Sequence, residues 1–438
     1  MEVALVSVYS HDGCTLKDVA GGFGTVFEVG SSLPARALAR AKSHLAELPP
    51  LVLGYLAAQL TAAGHRVRVA PIAWKPQHRD ELPRADRTIV LSSIVDASAE
   101  REVVRRLSES GSRPVVIGAY ATARPEHYAD VAHAVIRGEP EALGASILDA
   151  PAGVIEAGDV AELDTLPWPE WSAFDVHRYR YAMLTRRGPT LPITSARGCA
   201  YGCGYCPWRV TARFRERDPS HVAREARHLS SRYGARGLSF RDPLFNLDPE
   251  RVRAIAEGLR PLGLAWSAEM RADRLDGELL ETLHRAGLRS LEIGVESVDR
   301  AMLSREHRKP PEREQIRDVV RTAQRLGIRV ICNYLLGLPE DDEESIRATV
   351  AWAKELDSFA VQFTVATPYP GTTLEPRTAG LVRLRRPEDH TGFRPIFDHP
   401  KLSREKLAEL REWAYVSYHF RPRYALRFAR HAAAALLD

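Results

Sequence analysis

Cysteine is scarce in this chain of 438 residues, which contains only five. So few cysteines, three of them clustered, exclude a disulfide-stapled scaffold and favour a reducing compartment, so we expect a cytoplasmic protein. Lysine is also scarce, since only seven of the 61 lysine and arginine residues are lysines. The formal net charge is only +4. The charges are scattered along the chain, which argues against a nucleic-acid partner.

Long apolar runs are missing as well. No stretch of about 18 apolar residues occurs, so we expect no membrane span and no membrane partner. The N-terminus, MEVALVSVYS, has neither a basic leader nor a long apolar core. It predicts a first β-strand rather than a signal peptide.

Short apolar segments alternate with helical ones in residues 1–150, which predicts an α/β fold that begins with a doubly wound parallel sheet. The predicted strands are EVALVSV, RVRVA, RTIVLSS and PVVIGA, and the predicted helices are PPLVLGYLAAQLTAAGH and AEREVVRRLSES. The glycine-rich stretch GGFGT lies in the long connection from Tyr9 to Pro50. We expect this stretch to be a flexible loop, with a ligand-covering loop as the alternative.

Residues 151–190 are rich in proline and tryptophan and lack periodicity, which indicates an ordered linker. Alternation returns in residues 191–380, where the predicted strands are LPITS, RGLSFR, LAWSAEMR, RSLEIGVE, IRVICNYLL and FAVQFTVATP. Six βα units are fewer than the eight of a closed barrel, so we expect a partial, TIM-like (βα)6 barrel. Residues 381–438 are predicted to form a helical extension that packs against this barrel.

The motif RGCAYGCGYCPW holds Cys199, Cys203 and Cys206 in a C-x3-C-x2-C spacing, directly after the first predicted barrel strand. Ligands gather at the carboxyl ends of parallel strands, and three thiolates suit a soft metal. A structural zinc site and an electron-carrying iron–sulfur cluster each need four ligands, and His221 begins a predicted helix. Three thiolates therefore indicate an iron with an open position, with a non-catalytic electron carrier as the alternative.

These cysteines, with Tyr205 before the last of them, resemble the motif of the radical S-adenosylmethionine (SAM) superfamily. Further segments resemble its branch with an N-terminal, Rossmann-like cobalamin-binding domain: PPLVLGYLAAQLTAAGHRV, RGEPE, SLEIGVES, LLGLPEDDEES and TPYPGTTL. The resemblance implies that the three cysteines hold a [4Fe-4S] cluster whose fourth iron binds SAM. One electron from an external reductant then cleaves SAM to a 5′-deoxyadenosyl radical, which abstracts hydrogen from a small-molecule substrate.

By this resemblance, the residues expected to bind SAM are Tyr205, Asp242, Glu269, Arg271, Glu296 and Ser297. We expect Tyr205 against the adenine, Arg271 against the SAM carboxylate, and Glu296 with Ser297 at the ribose. Glu269 and Arg271 share one strand face, because residues i and i+2 point the same way. Ordinary salt bridges at the barrel end are the alternative interpretation.

The candidates that face the substrate are Glu292, Tyr334 and Cys332 as catalytic residues, and Asn333, Gln362 and Thr364 as binding residues. Polar side chains inside a barrel need partners, which a polar substrate supplies unless these side chains satisfy one another. Cys332 is either a hydrogen donor to a radical or, as a lone strand cysteine, part of the core.

The first domain departs from the cobalamin-binding pattern of the branch. The D-x-H-x-x-G motif, whose histidine ligates cobalt, is absent, and His11 and His133 do not match it. Gly118-Ala119-Tyr120 stands where the branch often has Gly-Gly, so a methyl group and a ring narrow the path of the nucleotide tail. Ser92 and Ser93 are available either to bind a tail or to cap local backbone. The sequence therefore indicates a degenerate domain and leaves cobalamin binding open.

Two outcomes of the radical chemistry are considered. The favoured hypothesis is a cobalamin-independent dehydration, deoxygenation or rearrangement of a polar, sugar-like intermediate in antibiotic biosynthesis, because the branch includes deoxygenating enzymes of aminoglycoside pathways. The alternative is a cobalamin-dependent methyltransferase in natural-product biosynthesis. A methylthiotransferase needs a second cluster, which Cys14, alone near the N-terminus, does not provide.

Overall fold

The computed structural model describes residues 1–11, 15–42, 46–74, 82–185, 188–424 and 426–427. Two six-stranded parallel sheets, with helices packed on them, confirm the predicted α/β class. Cys14 and the end of the predicted C-terminal extension, residues 428–438, lie outside the described residues. Within the described ranges, every helix is too short or too polar to span a lipid bilayer.

The first sheet has the strand order β2-β1-β3-β4-β5-β6, and all neighbouring strands are parallel. Its strands are β1 (Glu2–Tyr9), β2 (Arg66–Ala73), β3 (Arg87–Leu91), β4 (Val115–Ile117), β5 (Ala134–Gly138) and β6 (Gly153–Gly158). The chain order reverses at β1. The carboxyl ends of β1 and β3 therefore flank the crevice where ligands bind in such sheets.

The four strands predicted in this region correspond to β1–β4, whereas β5 and β6 were not predicted. Strand β6 lies inside the segment predicted as a linker, and it is mostly exposed at the sheet edge, so it lacks an apolar run. The helices of this part include both predicted ones: α1 (Leu33–Lys42), α2 (Leu51–Ala62), α3 (Ala97–Glu109) and α4 (Ala119–Ala123).

The glycine-rich stretch after β1, residues 21–25, is packed against the rest of the protein, so the prediction of a flexible loop is wrong. Phe23 is fully buried, and its ring stacks on Tyr369 with centroids 5.6 Å apart. The glycines here allow the backbone to lie close against neighbouring segments of the protein. A Cβ at Gly21, where φ is 65°, would lie 3.0 Å from the backbone of Pro207.

Two-residue antiparallel ladders join distant segments: Thr15–Leu16 with Thr25–Val26, Ala46–Glu47 with Arg180–Tyr181, and Ala196–Arg197 with Arg215–Glu216. The second ladder attaches the predicted linker to the long connection after β1. The linker is ordered, since Trp171 is fully buried and its indole fills the space beside Gly54.

The second sheet follows the chain order, β7-β8-β9-β10-β11-β12, with parallel neighbours. Its strands coincide with the six predicted ones: β7 (Thr190–Ile193), β8 (Gly237–Phe240), β9 (Ala265–Met270), β10 (Leu288–Glu296), β11 (Arg329–Leu336) and β12 (Ala360–Val365). Strands β7 and β12 form its edges, so no closed barrel exists within the described residues.

Helices alternate with these strands: α5 (Trp208–Thr211), α6 (Pro219–Tyr233), α7 (Pro249–Leu259), α8 (Gly277–Arg285), α9 (Arg300–Arg305), α10 (Arg313–Arg325), α11 (Glu343–Leu356), α12 (Leu374–Thr378) and α13 (Arg404–His419). Aspartates cap several N-termini by accepting hydrogen bonds from first-turn amides, as Asp218 does at α6 and Asp342 at α11. Short 3-10 helices lie between these elements, at Ala20–Gly22, Pro125–His127, Pro140–Ala142, Gly144–Asp149, Leu163–Thr165, Val176–Arg178, Arg260–Leu262, Ala272–Arg274, Ala379–Leu381 and Pro387–Asp389.

Helix α13 confirms the helical segment predicted near the C-terminus. It packs on β12, where the Phe363 ring lies 5.4 Å from the Tyr415 ring. The Phe363 amide donates a 3.0 Å hydrogen bond to the Tyr415 hydroxyl. This packing covers the outer face of the second sheet and leaves its inner face to a cavity.

Candidate functional site

A cavity of about 440 Å³ lies against the inner face of the second sheet. It brings together most of the residues selected from the sequence: Cys199, Cys203, Tyr205, Cys206, Glu269, Arg271, Glu292, Glu296, Asn333, Gln362 and Thr364. Four selected residues do not line it, namely Asp242, Ser297, Cys332 and Tyr334. Most of the predicted residues therefore meet in one cavity, and four of them lie outside its lining.

The loop with the three cysteines is held rigidly at the mouth of this cavity. A Cβ at Gly198, where φ is 71°, would overlap the carbonyl of Arg213, so only glycine fits there. The Cys206 amide donates a 3.1 Å hydrogen bond to the Cys203 carbonyl. Burial raises the pKa of the Cys206 thiol to about 12. A bound metal would compensate the thiolate charge that this environment otherwise disfavours.

The three thiols surround a shared space and do not meet at one point. Among the described residues, no group of three His, Cys, Asp or Glu side chains is arranged to hold a single metal ion. A zinc site would require such convergence, with each sulfur about 2.3 Å from the ion. In a [4Fe-4S] cluster each cysteine bonds a different iron, so the ligands are more widely separated. The three cysteines line one cavity and supply the donor type that an iron–sulfur cluster takes.

Beside the cysteines, Glu296 and two arginines form a charged corner of the cavity. Arg308 pairs with Glu296 at 3.3 Å and is an electrostatic neighbour of Cys203. Burial raises the pKa of Glu296, and Arg308 opposes that rise. Arg271 pairs with Asp273 at 2.6 Å. The Arg271 Nη1 and the Arg308 Nε form no hydrogen bond within the described residues, so both arginines retain a donor for a ligand.

The strand register arranges the inward polar side chains in rows. Glu269 on β9 is paired with Glu292 on β10, and burial and then the Glu292 charge raise the pKa of Glu269. The Tyr181 hydroxyl donates a 3.1 Å hydrogen bond to Glu292. In the next row, Asn333 is paired with Gln362. Their side-chain amides form no hydrogen bond among the described residues, so they do not satisfy each other.

Asp242 and Ser297 have structural roles, which corrects their prediction as SAM ligands. Asp242 accepts hydrogen bonds from the amide and hydroxyl of Ser195, each at 2.9 Å, and so fixes the loop that leads to the cysteines. The Ser297 hydroxyl lies 3.3 Å from that of Thr349 and accepts a hydrogen bond from the Asp299 amide. Both side chains are used inside the protein.

Cys332 and Tyr334 point away from the cavity, which corrects their prediction as catalytic residues. Both are fully buried in the core between β11 and the covering helices. The Tyr334 ring stacks on Phe363 with centroids 5.1 Å apart. Consecutive strand residues face opposite sides, so Asn333 enters the cavity while its two neighbours do not. The alternative interpretation of Cys332 as a core residue is the one that the structure supports.

Sequence reasoning missed several cavity residues, above all Arg308, Tyr181 and Lys42. Arg308 follows α9 and has no position in a strand pattern. Tyr181 and Lys42 come from the linker and from the connection after β1, which the sequence did not place at the cavity. No local motif could have found them, because their position depends on how the two sheets are joined.

Arg271→Ala and Arg308→Gln are both expected to raise the SAM concentration needed for half-maximal 5′-deoxyadenosine formation. Loss of one charge-assisted contact corresponds to about tenfold or more. Iron content should be unchanged, because neither residue supplies a thiolate. Arg137→Gln, which alters an exposed ion pair with Glu156, is the control. If the SAM requirement were unchanged in both variants, the two arginines would have a structural role only and would not bind SAM.

The carboxyl edge of the first sheet, where a cobalamin tail would enter, is occupied by the chain itself. The Ile94 amide donates a 2.8 Å hydrogen bond to the Phe23 carbonyl, and a Cβ at Gly22 would lie 3.2 Å from that of Ala119. The space left beside Lys17 is a cavity of about 20 Å³, enough for a single water. The residues after β1 therefore cover the edge.

The two serines and the Lys17 ammonium at this edge bond within the protein. Lys17 Nζ lies 2.6 Å from Glu100 and 3.0 Å from Asp96, in a buried ion-pair network. The Ser93 hydroxyl donates to Glu100 at 2.9 Å, and the Ser92 hydroxyl accepts a 2.7 Å hydrogen bond from the Ala121 amide. The serines thus cap local backbone and bury a charge. In the conformation described, both serine hydroxyls are engaged inside the protein rather than open to a nucleotide tail.

Comparison with known proteins agrees with the geometry of the second sheet. Residues 193–353 match the family model described as the radical SAM superfamily. An uncharacterized methyltransferase of Pyrococcus horikoshii is 25% identical over 369 residues, which are 78% of this chain and 79% of that protein. Bacteriochlorophyllide d C-12(1)-methyltransferase of Chlorobaculum tepidum is 24% identical over 336 residues, which are 74% of this chain and 72% of that protein.

The fold also resembles a solved structure across both sheets. TsrM from Kitasatospora setae, a radical SAM methyltransferase with cobalamin and a [4Fe-4S] cluster bound, has a TM-score of 0.60 with this chain. The match covers 85% of this chain and 77% of that one, at 16% sequence identity. At this identity the likeness establishes the fold and its two-sheet arrangement.

Proposed function

Because residues 193–353 form a radical SAM domain, we propose that this enzyme removes a hydrogen atom from a polar small molecule held in the 440 Å³ cavity. A [4Fe-4S] cluster and SAM, when bound, supply the 5′-deoxyadenosyl radical for that step. The observation that carries the proposal is a shared cavity: three cysteines at its mouth and the unpaired amides of Asn333 and Gln362 on its wall. Both amides line the cavity without a side-chain partner in the described residues, so they are free to bond a polar substrate there.

For the fate of the substrate radical, we propose loss of water or rearrangement. The supporting observation is the buried acid pair Glu269 and Glu292. The raised pKa of Glu269 keeps it protonated near neutral pH, so it can donate a proton to a departing hydroxyl. Glu292, held by Tyr181, accepts the proton of the hydroxyl on the radical carbon. The departing hydroxyl takes the Glu269 proton and leaves as water, and a carbonyl forms beside the carbon that now carries the radical. A second electron from the external one-electron reductant and a proton then quench this radical, which gives a product lighter than the substrate by one water.

Methyl transfer is the second candidate, and the comparisons favour it. Both curated relatives described above are named methyltransferases, and TsrM is a cobalamin-bound methyltransferase. None of these three names describes a dehydratase. The occupied edge of the first sheet argues against this candidate, because methyl transfer in the branch relies on a bound corrinoid. The two candidates therefore differ in a measurable product.

The test is mass spectrometry of small molecules converted by the anaerobically reconstituted enzyme with SAM and a one-electron reductant. We expect 5′-deoxyadenosine and a product that has lost one water or is isomeric with its substrate. Glu269→Gln should slow product formation more than SAM cleavage, whereas Glu156→Gln at the exposed edge of the first sheet should change neither. A product that has gained a methyl group would instead support the second candidate.

A further inference from the structure

The open side of the second sheet is closed by segments from outside it. Lys42, the last residue of α1, donates a 3.1 Å hydrogen bond from Nζ to the Val361 carbonyl of edge strand β12. Met183 packs against Ile331 and Ala360 in a small apolar cluster. All of these residues line the cavity. The connection after β1 and the linker therefore build one wall of the substrate space.

Lys42 is the one cation of this wall, as far as the described residues show, that has no carboxylate partner. Its ammonium lies 5.1 Å from the ring centres of Phe27 and Tyr415, which favour a cation. An ammonium has three donors, and only the bond to Val361 uses one. The other titratable neighbour on α13 is His419, whose pKa burial holds well below its usual range. Because Lys42 lines the cavity, its two unused donors are open to an anionic ligand.

The side chains on the strands next to Lys42 are neutral amides that can donate, and the acids lie further along the wall. The unpaired amide of Gln362 follows Val361 on the same strand, and Asn333 is its register partner. Glu292 is in register with Ile331, which is in register with Ala360. The backbone of Glu292 on β10 is therefore two strands away from that of Ala360 on β12, at about 10 Å. Lys42 and the two amides thus form a region of the cavity suited to negatively charged oxygen.

We propose that the substrate carries an anionic oxygen group, a carboxylate or a phosphate, which Lys42 binds at the open side of the second sheet. The inference rests on the proposed function in one respect, namely that the substrate occupies this cavity. Bound there, the anion accepts hydrogen bonds from Lys42 Nζ and from the amides of Gln362 and Asn333. It would anchor the molecule at the end of the cavity formed by β11, β12 and α1.

The test uses the cluster-loaded, SAM-saturated enzyme labelled with [ε-¹³C]lysine, whose seven lysines give few resonances. Lys42→Arg assigns the Lys42 signal by its loss. Burial lowers the pKa of Lys42 to about 7. Addition of acetate or inorganic phosphate, at ionic strength held constant with chloride, should raise that pKa by about one unit or more, because an opposite charge favours the ammonium.

Lys354 is the matched control, since its Nζ also lies over an aromatic ring, 4.8 Å from the centre of Trp413, but outside the cavity lining. Its pKa should not respond. A response of Lys42 to phosphate alone identifies a phosphate group, and a response to acetate alone identifies a carboxylate. No response to either anion beyond that to chloride would overturn the inference. Failure of the proposed function is separate, because it would appear as wild-type enzyme that forms no 5′-deoxyadenosine.

Discussion

Alanine at Cys199, Cys203 or Cys206 is expected to abolish both the iron–sulfur absorption near about 400 nm and the cleavage of SAM, since each thiolate is an obligatory ligand. The three thiols line one cavity mouth, and neighbouring hydrogen bonds fix the loop that carries them. No other cysteine of the described residues lines that cavity, so a lost ligand has no substitute. Anaerobic reconstitution, iron analysis and quantification of 5′-deoxyadenosine measure the effect.

Cys332→Ala is the matched control, because Cys332 is a fully buried cysteine on the opposite face of β11. It should retain the cluster absorption and SAM cleavage. Removal of a small buried side chain should cost only stability, about 1 kcal/mol. If the triple alanine variant at the cavity mouth still made 5′-deoxyadenosine, the assignment of the three cysteines to the cluster would be wrong.

The second sheet could be predicted from sequence because each of its strands is a short apolar run between helices with clear end signals. Gly234 and Gly263, for example, end helical segments in the left-handed conformation just before strands. The cysteine spacing was equally informative, since a motif carries its own geometry. Edge strand β6 escaped prediction because it is mostly exposed and gives no apolar pattern.

The errors within the candidate site follow from strand alternation. Cys332, Asn333 and Tyr334 are consecutive in β11 and were all assigned to the cavity, but only the middle one can face it. Alternate residues of a strand face opposite sides of the sheet. Which set faces the cavity depends on what packs on the outer side, here the aromatic rings of Phe363 and Tyr415. A single sequence does not show which set faces the cavity when both sets contain polar or reactive residues.

Lys42 shows a second limit of sequence reasoning. It ends a helix of the first part of the chain, far in sequence from the strand whose carbonyl it contacts. Its position follows from the packing of the long connection after β1 against the second sheet. The same connection also covers the carboxyl edge of the first sheet through Phe23 and Lys17. One segment thus shapes the substrate cavity and occupies the crevice that relatives of this fold use for a ligand.

We expect the purified enzyme to bind no cobalamin, even after expression with cobalamin and incubation with excess hydroxocobalamin. A corrinoid needs a channel for its tail, and the chain after β1 covers this edge, where the Ile94 amide bonds the Phe23 carbonyl. To enter, the corrinoid would have to displace Phe23 and expose the Lys17–Glu100 ion pair. Separating a buried pair costs about 3–5 kcal/mol. Gel filtration followed by a visible spectrum measures the bound corrinoid, with a cobalamin-binding relative treated in parallel as the positive control.

Without a corrinoid to carry a methyl group, SAM should be converted to 5′-deoxyadenosine with no S-adenosylhomocysteine. Activity should also be the same with and without added cobalamin, because Ser92 and Ser93 at the first-sheet edge bond within the protein instead of to a nucleotide tail. This expectation separates the two outcomes of the radical more sharply than any single variant does, since it concerns the fate of SAM itself. Stoichiometric co-elution of cobalamin, together with S-adenosylhomocysteine and a methylated product, would show that the segment after β1 moves aside. The methyltransferase candidate would then replace the dehydration proposed here.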